Sequence, residues 1–292
     1  MGAGDTTRPD DVAQAGWEGF DRIVTPEPTP LGRQLRDLWT YRELLAFLVW
    51  RDVRVRYRQT VLGLAWVLFQ PATITAVFSI LFGRLGGLER RVAGDVPYPL
   101  FVYAGMLPWS VFSSGFSRAS GSLVGAGYLI SRIWFPRLVL PVASIVVGLV
   151  DFAVATILLV VMMVWFGVAP QPTALLLPVF LLFALATALG GGLVVGALTV
   201  HLRDLRQALP FLTWILLFAT PLAYPSTLLP AHLRTLYGLN PLVGVVDGFR
   251  WALFGTPIHV PGLWVSLSVT GALLVSGLWL YGRVERNAAD LV

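Results

Sequence analysis

The sequence predicts an all-α integral membrane protein with six transmembrane helices. Its 292 residues are 56% hydrophobic and only 13% charged, with a mean hydropathy of +0.74, where soluble domains carry roughly 25% charged residues. Apolar runs long enough to cross about 30 Å of hydrocarbon, roughly 20 residues each, occur at 61–82, 98–117, 138–168, 173–200, 208–229 and 263–281. The runs are continuous rather than alternating. That favours helices over a β-barrel, because each lipid-embedded segment must satisfy its own backbone hydrogen bonds.

Taken in order, residues 1–30 are polar and proline-rich and are expected to be a disordered cytoplasmic tail. They lack the apolar core of a cleaved signal sequence, so the first span is expected to act as its own uncleaved signal. From Leu31 the pattern changes. Leu31, Leu35, Leu38 and Leu45 recur at helical spacing, with Arg33, Arg36, Asp37 and Glu43 between them. This predicts an amphipathic helix lying on the membrane surface over 31–60. Its last stretch carries Arg51, Arg54, Arg56 and Arg58 and runs directly into the first span, so 61–282 is expected to be the membrane domain and 283–292 a cytoplasmic tail.

Between the second and third spans, residues 121–141 are apolar but interrupted by Ser131, Arg132, Pro136 and Arg137. They are too broken to cross a bilayer. A short helix around 123–134 is expected to end at the Phe135-Pro136 step, since a residue before proline prefers extended geometry. Gly190, Gly191, Gly192 and Gly196 in the fourth span predict close helix packing. After Ala219, five prolines break the chain up to Pro257. This region reads as a broken helix end followed by short re-entrant or periplasmic helices, tolerable at membrane depth where buried in protein or lining a cavity.

The basic charge is topological. All 21 cationic residues are arginines, and with six spans sixteen of them fall on the side of the termini, which places both termini in the cytoplasm. Arg84, Arg90, Arg91, Arg234 and Arg250 fall on the other side. No nucleic-acid partner is implied. There are no cysteines and only three scattered histidines, which disfavours metal chemistry. The sequence contains no phosphate-binding loop of the GxxxxGK[ST] type, so no cofactor is expected on this chain and it is not expected to hydrolyse ATP.

Asp151 is the one acid well inside a predicted span, where an ionisable group costs several kcal/mol unless partnered. A hydrogen bond to a neighbouring helix is favoured over a proton relay. Tyr98, Phe101, Tyr103, Trp109, Phe112, Phe218, Tyr224, Phe249 and Trp251 fall at one membrane face, where an interfacial aromatic belt is the simplest reading. Some of these rings, facing a conduit, would also let sugar rings slide past.

Taken in order, the segments WRDVRVRYRQTVLG, PYPLFVYAGMLPW, LISRIWFPRLVLP, HLRDLRQALPF, ATPLAYP, LNPLVGVVDGFRWALFG and YGRVERNAADLV resemble the permease subunit of polysaccharide ABC exporters, of the ABC-2 type. The resemblance runs from about Leu31 to Val292. It implies a homodimer that docks two copies of a separate nucleotide-binding subunit, which would hold the ATP and Mg. It implies as substrate an undecaprenyl-diphosphate-linked glycan such as O-antigen, capsule or teichoic acid, moved across the bacterial inner membrane between the two copies. In lipopolysaccharide biosynthesis the cargo would be O-antigen.

Carried onto this chain, the resemblance puts an ATPase-coupling helix within 121–136, involving Leu129, Ile130, Arg132, Trp134, Phe135 and Arg137. Gate helices fall at about 228–253. The aromatic glycan channel draws on Trp66, Tyr103, Trp109, Phe112, Trp214, Phe218 and Tyr224. Arg51, Arg54, Arg56 and Arg58 are then candidates to hold the lipid diphosphate at the cytoplasmic entrance, since guanidinium forks match phosphate oxygens; anchoring to anionic membrane lipids also accounts for such a cluster. An ABC-2 permease for a lipid or drug is the alternative. A membrane glycosyltransferase is disfavoured by the lack of clustered carboxylates, and a secondary transporter by the lack of paired repeats.

Overall fold

The computed structural model describes residues 31–58, 63–89, 96–125, 135–202 and 204–287, and every regular element among them is helical. The expected surface helix is two segments, α1 (Leu31–Thr40) and α2 (Arg42–Arg58). Tyr41 joins them, donating its N–H to Asp37 and accepting from Leu45, so the hydrogen-bond ladder is nearly unbroken. Leu48 is buried among Phe135, Val139, Leu140 and Ala143, while Trp39, Phe47 and Trp50 stay exposed.

Helix α3 (Gly63–Phe78) contains Pro71 and widens into a π-helical turn at Ser79–Leu85. Helix α4 (Tyr98–Gly125) contains Pro108. After Pro136, α5 (Val139–Phe166) ends in the left-handed Gly167, the conformation glycine adopts without steric cost. A 3-10 turn (Pro172–Leu176) leads into α6 (Leu177–His201). The remaining helices are α7 (Leu205–Ala219), α8 (Ala231–Tyr237), α9 (Pro241–Phe254) and α10 (Val260–Asn287).

Among the described residues, four helical stretches are long and apolar enough to cross a membrane: 65–85, 139–166, 172–200 and 260–284. The chain is therefore a multi-pass membrane protein. Helix α4 has the length, at 28 residues, but a row of serines lowers its hydropathy. Helix α7 has only 15 residues, about 22 Å at 1.5 Å per residue. The apolar run expected to continue to 229 stops being helical at Ala219, because Thr220 turns extended ahead of Pro221, as a pre-proline residue prefers.

Helix α4 is the hub, packing along α3, α5, α6, α7 and α9, while α10 covers the far side of α6 and α2 lies against α5. The glycines of α6 permit both close approaches. A Cβ at Gly190 would lie 2.7 Å from the Leu274 backbone nitrogen of α10, and one at Gly196 would lie 3.2 Å from the Ser120 carbonyl of α4. Most of the supposed aromatic belt is core instead. Tyr98, Phe101, Tyr103, Trp109, Phe112 and Phe249 are all buried, because the ends of α4 and α9 pack against each other rather than facing lipid.

Candidate functional site: a serine-lined groove and its charged end

A groove of about 410 Å³ runs between α3, α4 and α7. Its α4 wall carries Ser110, Ser113, Ser114 and Ser117, whose spacing of three, four and seven puts them on one helical face. Gln70 and Pro71 of α3 face them, with Pro210, Thr213 and Trp214 of α7, and Trp109 adds a second indole. The serine hydroxyls donate back along their own helix, Ser110 to the Met106 carbonyl at 2.8 Å and Ser113 to the Ser110 carbonyl at 3.3 Å. Their lone pairs remain as acceptors. The α4 and α7 walls thus offer weak acceptors and flat rings, and charge is confined to the end at Arg56 and Asp151.

At the end nearest α2 the groove meets a charged cluster. The Asp151 carboxylate of α5 accepts from the Tyr57 hydroxyl and pairs with Arg56 at 3.0 Å and Arg118 at 3.7 Å. Arg118 also donates to Ser114 at 3.1 Å. Three elements, α2, α4 and α5, are thereby tied together at one point. Burial, reinforced by the bond to Asp151, pushes the Tyr57 phenol up to about 12, so it remains a donor to the carboxylate at neutral pH. With these partners the carboxylate is not an isolated charge.

At the opposite end, the irregular stretch after α7 exposes carbonyls that no helix satisfies. Side chains take them one by one. Tyr237 and Asn240 donate to the Ala219 carbonyl, each at 3.0 Å, and Tyr98 to that of Ala223 at 2.5 Å. Arg250 donates to Phe101, Pro221 and Leu222 at 3.1, 2.5 and 2.6 Å, with its guanidinium 3.6 Å above the Phe101 ring. It is 1% exposed. Asp247, one turn earlier on α9, is also buried, and Ser226 lines the same small pocket.

The profile of the ABC-2 type transporter membrane family matches residues 43–254. The chain belongs to that family. The O-antigen export system permease protein RfbA of Myxococcus xanthus is 31% identical over 221 residues, 75% of this chain and 83% of the relative. The polysialic acid transport protein KpsM of Escherichia coli is 28% identical over 208 residues, 70% of this chain and 78% of that protein. The inner membrane transport permease YadH of Escherichia coli K12 is also 28% identical, over 65% of this chain and 77% of its own length.

Within this ABC-2 chain the predicted site residues separate. Of the seven candidate channel aromatics, Trp109 and Trp214 line the groove. Phe218 is exposed with its ring 6.4 Å from Trp214, and Trp66 is exposed and packs edge-on against Phe69. Tyr224 shares a 2.8 Å hydrogen bond with Tyr237 beside the irregular stretch. Tyr103 and Phe112 do not line this groove. The Tyr103 hydroxyl donates to the Ala155 carbonyl at 2.9 Å, and Phe112 stacks on Phe116, so α5 and the core claim both rings.

The arginine cluster of this ABC-2 chain diverges as well. Arg51 pairs with its neighbour Asp52 at 2.8 Å, Arg54 lies over the Trp50 ring, and Arg56 turns inward to Asp151. The Arg58 side chain lies outside the described residues. So do Leu129, Ile130, Arg132 and Trp134; α4 takes up the start of that region as far as Gly125. Phe135 is buried beneath α2, and the Arg137 carbonyl accepts from Tyr281. Sequence reasoning missed the serine row, Arg118 and Arg250. The serine spacing was legible; the roles of the two arginines were not, because their partners lie 33 and 149 residues away.

Proposed function

We propose that this chain is the channel-forming subunit of an ATP-driven exporter of a lipid-linked polysaccharide. Two copies pair with two separate nucleotide-binding subunits in the bacterial inner membrane, with both termini in the cytoplasm and six spans per copy. The observation that carries the reading is the groove itself. Four serine acceptors line one face of the hub helix, flanked by the indoles of Trp109 and, from α7, Trp214, a surface on which sugar hydroxyls find replaceable partners and no deep binding minimum. Two relatives named for O-antigen export and polysialic acid transport support the choice of cargo.

Conduction demands weak, repeated contacts, since a substrate held tightly at one point does not move on. The energy comes from the partner, whose ATP and Mg this chain does not bind. The alternative cargo, a lipid or drug, keeps the same groove and the same partner. Reconstituting the chain with its nucleotide-binding subunit, in liposomes loaded with a lipid-linked glycan, separates these. ATP-dependent appearance of glycan in the opposite compartment, only with both subunits, is the expected result. ATP hydrolysis that moves other lipids and no glycan contradicts the cargo; failure of the two subunits to associate contradicts the transporter reading.

A further inference from the structure

Asp151 faces two guanidinium groups, and the second is poorly served. Arg118 reaches the carboxylate only at 3.7 Å and spends a donor on Ser114, while its Nε is buried with no acceptor among the described residues. An unmet donor on a buried charged group costs about 1–3 kcal/mol or more. Space has been left for this guanidinium: a Cβ at Gly148 of α5 would lie 3.0 Å from Arg118 Nη2. A cavity of about 450 Å³, lined by Arg51, Asp52, Val55, Arg56, Arg118 and Val147, opens on the far side of the cluster from the serine groove. Arg56 lines both spaces.

We propose that Arg56 and Arg118 form a binding site for a phosphate ester, with Asp151 standing in for the ligand when the site is empty. One carboxylate offers two oxygens to two forks. A diphosphate or phosphate monoester brings more oxygens and more charge, in the geometry guanidinium groups match bidentately. Its arrival gives Arg118 Nε the acceptor it lacks and displaces Asp151. Because Asp151 also holds Tyr57, occupancy is reported to α2. Identifying the ester with the diphosphate of a lipid-linked glycan rests on the export reading; an anionic phospholipid headgroup presents the same chemistry.

The test uses the full chain in phosphatidylcholine nanodiscs, titrated with radiolabelled farnesyl diphosphate. Arg118→Gln is expected to weaken binding about tenfold or more, the loss of one charge-assisted contact. Asp151→Asn is expected to tighten it several-fold by removing the competing carboxylate. A purely structural ion pair predicts the reverse for Asp151→Asn, loss of thermal stability without gain in affinity. Arg118→Lys, which keeps the charge without the fork, covers the case in which the glutamine variant does not fold, and is expected to bind more weakly than the parent.

Two further arms identify the ligand's source. Farnesyl diphosphate binding tighter than inorganic pyrophosphate assigns the site to a prenyl diphosphate. Full competition by added phosphatidylglycerol assigns it to bilayer lipid, and either result upholds the phosphate site. A parent chain that binds none of the three, an Arg118→Lys or Arg118→Gln chain that binds as the parent does, or an Asp151→Asn chain that does not tighten overturns it. None of these readouts requires the ATPase or a glycan, so failure of export leaves them standing.

Discussion

Replacing Arg250 with methionine is expected to prevent the chain from reaching a stable folded state. Methionine approximates the length of the side chain and keeps its apolar stem, but supplies no donor. The carbonyls of Pro221 and Leu222 would then be left unmet inside the protein, while that of Phe101, inside α4, keeps its helical partner. Each orphaned group costs about 1–3 kcal/mol, and the buried Asp247 would lose a balancing charge. A loss of about 2 kcal/mol or more is a large fraction of the 5–15 kcal/mol that holds a typical domain together. The measurement is the recovery of monodisperse protein in detergent and its thermal unfolding midpoint. Arg250→Lys separates charge from geometry. An ammonium group cannot span three carbonyls as a planar fork does, so an intermediate loss is expected. A methionine variant that purifies and unfolds like the parent would show that the irregular stretch after α7 does not depend on this pin.

Gly190→Leu is expected to be nearly as damaging, for a steric reason. The new Cβ would fall 2.7 Å from the Leu274 nitrogen and 2.8 Å from the Leu273 carbonyl carbon. Both are backbone atoms of α10, so no rotamer change relieves the clash. The helices must separate, and close packing is what holds helices together in lipid, where no hydrophobic gradient acts between them. Overpacking costs typically 1–3 kcal/mol, and a backbone clash belongs at the upper end of that range. Gly121→Leu is the control, since nothing lies within 4 Å of a Cβ there. Equal thermal midpoints for the two variants would remove the α6–α10 contact from the account.

The parts of the molecule legible in sequence are those governed by local pattern. Leucine spacing showed that the chain is helical from Leu31, and the glycine run in α6 showed close packing, because each depends on neighbours within a turn or two. Asp151 was recognisable as an acid in need of a partner. Which partner it has was not, since Arg56 lies on another helix 95 residues away. Hydropathy carried the fifth run past its true end, because Leu222, Ala223 and Leu228 remain apolar where the backbone is no longer regular. Arg250 counted as an external charge for the same reason that it matters. Charge rules see an arginine between spans, while three distant carbonyls make it an interior residue. Tyr103 and Phe249 resembled a membrane belt because cores and interfaces use the same rings.

The serine row shows how one signal can hide inside another. Ser110, Ser113, Ser114 and Ser117 share a helical face, yet read along the chain they only dilute an apolar run. Their meaning comes from what α3 and α7 place opposite them, Gln70, Thr213 and Trp214.

Because the sequence has no cysteine, a single introduced thiol reports its surroundings without interference. The decisive measurement is the labelling rate of Ser113→Cys by a water-soluble maleimide in proteoliposomes containing the ATPase partner, with and without lipid-linked glycan and ATP. Ala169→Cys, exposed in the connection between α5 and the Pro172–Leu176 turn, serves as the reference. If the groove is the glycan path, labelling at position 113 slows several-fold during turnover and that at 169 does not change. Glycan transfer that proceeds while position 113 labels at its resting rate would place the path elsewhere.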